Sequence, residues 1–139
     1  MRTFRLHKLV RDKIIEQNVS EGAQIDSRKL DDTEYLAALK AKLLEEANEL
    51  PLDNREEILK ELADVAEVLD ALIEASGVSQ EELRRKRETR SVKVGVFKNR
   101  DFIETITLPD DNRWVEYYAS QPDRFLEIPR SDPHGTGTA

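Results

Sequence analysis

Apolar residues recur at three- and four-residue spacing through most of the first ninety positions, and this period predicts helices. Residues 8–18, KLVRDKIIEQN, place Leu9, Val10, Ile14 and Ile15 at mixed helical spacings, with Gly22 just beyond. Residues 33–50 follow the polar run Asp31, Asp32, Thr33 and carry Leu36, Leu39, Leu43, Ala47 and Leu50 on one stripe, ended by Pro51. A third helix, capped by Asp53 or Asn54, is expected to run to about Ser76 before Gly77. Its apolar positions Ile58, Leu62, Val65, Ala66, Val68, Leu69, Leu72 and Ile73 cover more than a narrow stripe, which implies several partner helices. Ser79 with Glu82 forms a capping box for a fourth helix reaching Arg87 or Arg90.

The period then changes. Val92, Val94 and Val96 alternate, a polar KNRD turn follows, and FIETITL has strand-like composition, so a small hairpin is expected. Residues 111–120 suit another short helix, and the Pro-, Gly- and polar-rich end is expected to be disordered. The chain therefore reads as an all-α bundle of four to five helices with a β-hairpin appendage near the C-terminus. A single domain is expected over residues 1–128, with a tail at 129–139.

Two acidic pairs stand out against this pattern: Glu46 with Glu49 on the second helix, and Glu61 with Asp64 on the third. On a helical wheel at about 100° per residue, Glu46 borders the Leu43 and Leu50 stripe, with Glu49 and Lys42 along the same flank and Glu45 pointing away. Glu61 falls between Val68 and Leu72, inside the apolar arc, and Asp64 lies at its edge. A carboxylate withdrawn from water needs a cation or several donors. Mg²⁺ takes hard oxygen ligands and is commonly held by a few carboxylates together with phosphates. In a chain that is 37% charged, one such pair is ordinarily a solvated helix face; two pairs on consecutive apolar helices favour a metal site.

Composition narrows the choice. The net charge of −7 disfavours passive nucleic-acid binding, which relies on neutralising phosphates with Lys and Arg. With no cysteine, and with His7 and His134 far apart, neither thiolate zinc sites nor nucleophilic triads are supported. There is no Walker-type GxxxxGK[ST] motif. No apolar run approaches a bilayer span, so the expectation is a cytoplasmic protein without membrane contact. The broad apolar surface of the third helix predicts a homodimer or larger assembly.

Taken together, Glu45-Glu46-x-x-Glu49, eleven intervening residues, and Glu61-x-x-Asp64 resemble the EExxE and ExxD signature of the MazG-like all-α nucleotide pyrophosphohydrolases. KLVRDKI, KLLEEANEL, ELADVAEVLDAL and the basic stretch ending in VGVF are similar to the phosphoribosyl-ATP pyrophosphohydrolase-like branch, over about residues 6–108. The spacing between the acidic motifs is at the short end for that family. The resemblance implies a helical, oligomeric enzyme that uses Mg²⁺, or Mn²⁺ in its place. Such an enzyme cleaves a nucleoside triphosphate substrate between the α and β phosphates, giving the monophosphate and pyrophosphate. Carried onto this chain, the metal ligands are Glu46, Glu49, Glu61 and Asp64, with Glu45 left out because it faces outward on the wheel. The proton acceptor lies between Glu49 and Glu61.

Where the family often has an Arg-Gly-Gly-Phe-like sequence this chain has Lys93-Val94-Gly95-Val96-Phe97, which passes the basic role to Lys93. Lys42, Lys86, Arg87 and Arg90 are further candidates for phosphate neutralisation, as are Lys8, Arg11 and Lys13 at the N-terminus. Trp114, Tyr117, Tyr118 and Phe125 could stack a base or pack the appendage. Competing functions are the phosphoribosyl-ATP pyrophosphohydrolase reaction itself and a non-catalytic helical module that binds nucleotides or protein.

Overall fold

The computed structural model describes residues 1–129. The expected tail at 129–139 lies, apart from Pro129, outside the described residues. Over the described residues the chain is all-α: α1 (Asp12–Ser20), α2 (Asp32–Glu49), α3 (Arg55–Ala75), α4 (Gln80–Val94) and α5 (Val115–Ala119). It divides into two compact units, one spanning Met1–Gly95 and the other beginning at Val96.

In the first unit the longest helices, α2 and α3, are joined by a short turn around Pro51 and pack against each other as an antiparallel pair. Each begins with a side-chain cap that satisfies an otherwise orphaned backbone N–H. Asp31 accepts from the Glu34 amide while Glu34 reaches back to the Asp31 amide, and Asn54 accepts from the Glu57 amide. Asn54, and not Asp53, therefore caps α3. The capping box read at Ser79 and Glu82 is present at the start of α4.

Helix α1 begins at Asp12, four residues later than its apolar spacing suggests, because Arg11 is extended (φ −68°, ψ 155°) and its side chain is engaged elsewhere. At the other end of the unit, α4 continues to Val94, past its expected stop. The pairs Arg84–Glu81, Arg85–Glu81 and Arg84–Glu88 run along it at i,i+3 and i,i+4, and Gly95 with a φ of 80° ends it.

The expected β-hairpin is not present: there is no strand among the described residues. Val92 and Val94 belong to the last turn of α4. Val96, Phe97, Phe102 and Ile103 are exposed, so the alternating pattern has no apolar layer on which a sheet face could rest. In the second unit, Asn112 caps the turn before α5 by accepting from the Trp114 amide. Tyr117, Tyr118 and Phe125 cluster there, with Tyr118 edge-on to Phe125 at 4.9 Å and Trp114 edge-on to Tyr117 at 5.7 Å. No helix among the described residues is long and apolar enough to cross a membrane.

The entry to α2 is held by charge as well as by its cap. Arg28 donates two hydrogen bonds to Glu34, at 3.0 and 2.7 Å. Those bonds, with the backbone bond from Asp31, lower the Glu34 carboxyl to about 2. A carboxyl whose folded pKa is depressed contributes stability that is complete above its unfolded value and is lost as pH falls through the folded value. Carbon-detected NMR titration is expected to place the Glu34 midpoint near 2 in the wild type. In Arg28→Ala it should move up toward the ordinary carboxylate range. An unchanged midpoint in the variant would show that the guanidinium is not the cause.

Candidate metal centre

In most small domains the residues shielded from water are apolar, whereas here acids make up half of them. The buried residues of the described chain are Leu39 (3% exposed), Val68 (8%), Glu46 (7%) and Glu61 (5%). An antiparallel register that sets Glu46 level with Glu61 also sets Leu39 level with Val68. The most deeply buried residues of the two helices thus form one apolar level and one acidic level, about two turns apart.

Glu46, Glu61 and Asp64 each present a carboxylate oxygen within 4.8 Å of the others. Oxygens that share a Mg²⁺ ion at 2.0–2.1 Å lie roughly 3–4 Å apart, so little closure is needed to bring this group onto one ion. Oε2 of Glu61 is buried and has no hydrogen-bond partner. Such an orphaned acceptor costs about 1–3 kcal/mol unless something binds it. Three carboxylates with one free buried oxygen fit a hard divalent cation.

The chain's own cations meet every acid of the group. Lys42 lies 2.7 Å from Glu46 and 3.2 Å from Glu45. Lys60 lies 2.6 Å from Oε1 of Glu61 and 3.5 Å from Asp64. Arg11 donates to Asp64 at 2.7 Å, and Lys8 to Glu45 at 3.1 Å. Burial lowers the Lys42 ammonium's pKa, but hydrogen bonds to Glu46 and Glu45 outweigh it and the net shift is upward. The Lys60 ammonium is raised chiefly by its bond to Glu61. The Glu45 carboxyl is lowered by its bonds from Lys8 and Lys42. All three shifts favour the charged forms at neutral pH.

Of the residues picked out from sequence, the structure brings together Glu46, Glu61, Asp64, Lys42 and Arg11. Glu49 is the last residue of α2, is exposed, and is not part of the carboxylate group. Its separation follows from the antiparallel pairing. From the Glu46–Glu61 level, three residues along α2 lead toward the turn, whereas three residues along α3 lead away from it. Glu49 and Asp64 are therefore about 9 Å apart along the helix axis.

Glu45 does not face outward as the wheel suggested: it is half-buried and joins Lys8 to Lys42. Lys13, Lys86, Arg87, Arg90 and Lys93 are exposed, and none forms an ion pair with the acid group among the described residues. Lys60 was not singled out from sequence, although its spacing of four from Asp64 was a readable signal.

Comparison with protein-family models, with curated proteins and with solved structures finds no match to this chain.

Glu61→Gln tests the electrostatics without any ligand. Gln keeps the volume, removes one of three crowded negative charges, and puts a donor beside Glu46 and Asp64. In metal-free protein the variant is expected to match the wild type or exceed it by about 1–3 kcal/mol in urea unfolding. A fall of more than about 1 kcal/mol would show that the Glu61 charge itself stabilises the metal-free fold.

Proposed function

We propose that this chain is a MazG-like pyrophosphohydrolase. It would hydrolyse the α–β phosphoanhydride bond of a nucleoside triphosphate or related nucleotide with Mg²⁺, releasing the nucleoside monophosphate and pyrophosphate. The observation that carries this reading is the meeting of Glu46, Glu61 and Asp64 around the free buried oxygen of Glu61. These three residues would hold the ion, Mg²⁺ or Mn²⁺. When bound, it supplies charge neutralisation at the phosphates and a lowered pKa for coordinated water.

The protein's own contribution is positional. Lys42 fixes the Glu46 carboxylate, and Glu45 fixes Lys42 in turn. Lys60 leaves one Glu61 oxygen available by engaging the other. Glu49, exposed one turn beyond Glu46, stays uncommitted to the three-carboxylate group and is suited to accept a proton from attacking water. Lys42 and Arg11 are the cations best placed to meet substrate phosphates. Lys86, Arg90 and Lys93 would have to be brought to the site by a second copy or by closure of α4.

A second reading has one observation in its favour. Every carboxylate of the group already has a lysine or arginine partner, as a structural ion-pair network in a non-catalytic helical module would. The free Glu61 oxygen weighs against it. Purified chain incubated with each common ribo- and deoxyribonucleoside triphosphate and Mg²⁺, with products separated, decides between them. Pyrophosphate and a monophosphate are expected for at least one substrate, with loss of at least about a hundredfold in Glu61→Gln at unchanged helical content. Phosphoribosyl-ATP belongs in the same panel as the competing substrate. Tight nucleotide binding with no pyrophosphate formed would favour the module.

We further propose a homodimer or larger assembly. Leu62 and Leu69 of α3 are 49% and 45% exposed, and Leu44 and Leu59 are exposed as well. The extensive helix pairing in the described unit is that of α2 with α3, so intramolecular packing leaves this surface uncovered. Sedimentation is expected to give a dimer or larger species at micromolar concentration, and a stable monomer would contradict this.

A further inference from the structure

We propose that Arg11 acts as a latch that competes with the divalent cation for the acid group, so that loading the site transfers Arg11 from Asp64 to a substrate phosphate. This deepens the metal-site reading above and rests on it. The four cations around the acids are of two kinds. Lys42 and Lys60 sit on the same helices as their partners, at i,i+4 from Glu46 and Asp64, and stay close whatever the site holds. Arg11 and Lys8 come from the segment ahead of α1, 53 and 37 residues from the acids they touch. Their side chains are about half exposed, which makes these pairs weak, screened and exchangeable.

Asp64 is the acid whose two oxygens are both taken, Oδ1 by Arg11 at 2.7 Å and Oδ2 by Lys60 at 3.5 Å. A cation that reaches the buried Oε2 of Glu61 displaces no protein partner there, but it gains Asp64 only by displacing a basic group. Lys60, 60% exposed, can loosen its 3.5 Å contact but stays one turn from Asp64 on the same helix, whereas Arg11, on a separate segment, can leave altogether. It lies in extended backbone just before α1 and donates no cap bond to it. Leu9 and Val10 beside it are half-buried, so the backbone of the segment stays anchored while the guanidinium moves.

Once freed, the guanidinium has its fork of N–H donors facing a centre that has become less negative, which is the setting for bidentate recognition of a phosphate. Because coupling is reciprocal, whatever removes Arg11 from Asp64 tightens metal binding, and metal binding readies Arg11 for an anion.

The test uses the full chain and needs no turnover. Mn²⁺ affinity is measured by electron paramagnetic resonance in the wild type, in Arg11→Ala and in Lys13→Ala, an equal change of charge two residues away on an exposed side chain. Arginine side-chain ¹⁵N NMR follows Arg11 during a Mg²⁺ titration. Expected are Mn²⁺ binding about two- to fivefold tighter in Arg11→Ala, the size of an exposed ion pair, a smaller change in Lys13→Ala, and a shift of the Arg11 signal as Mg²⁺ saturates. Saturable Mn²⁺ binding with an unmoved Arg11 signal, or with equal or weaker affinity in Arg11→Ala, would overturn the latch and leave the metal site standing. Absence of Mn²⁺ binding to the wild type would overturn both.

Discussion

The structure depends on the opposition of two buried carboxylates, Glu46 and Glu61, across the α2–α3 contact. Like charges withdrawn from water repel one another and lose hydration, and neither cost is met by the two buried apolar residues, Leu39 and Val68, two turns away. Lys42 and Lys60 offset part of it from within the same helices, while Arg11 and Lys8 pair from outside them with the neighbouring acids Asp64 and Glu45. One oxygen of Glu61 is still left without a partner. A small helical pair that keeps such an arrangement in place of a leucine layer gives up stability, the kind of local cost that functional sites commonly carry.

That constraint also explains the sparse core. Acids hold one of the two most deeply buried levels of the helix pair, and the remaining apolar residues of α2 and α3 are half-buried or exposed. The leucines of α3 that do not face α2 stay exposed. The proposed assembly follows from this, because an additional packing surface would supply the burial that the acid layer takes away.

What could be read from sequence was local. The caps at Asp31, Asn54 and Ser79, and the stripes of α2 and α3, depend on neighbours within a turn or two, and the wheel placed Glu61 inside the apolar arc where the fold buries it. A wheel gives angle but not level along the axis. It therefore could not separate Glu49 from Asp64, which differ by the opposite sense of travel along the two helices. Nor could it show Glu45 engaged, because Lys8 arrives from a distant segment. The Val92, Val94, Val96 alternation suggested a strand, but a helix started by a strong capping box and laced by ion pairs propagated through it to Gly95. Arg11 was singled out as a phosphate-binding residue, whereas its partner Asp64, 53 residues on, emerges only from the fold.

The central claim is that acids from α2 and α3 share a divalent ion. Anomalous diffraction from a crystal grown with Mn²⁺ tests it most directly. A strong peak bounded by the carboxylates of Glu46, Glu61 and Asp64 is expected. A fully occupied peak elsewhere, or none while Lys42, Lys60 and Arg11 keep their acidic partners at saturating Mn²⁺, would contradict it.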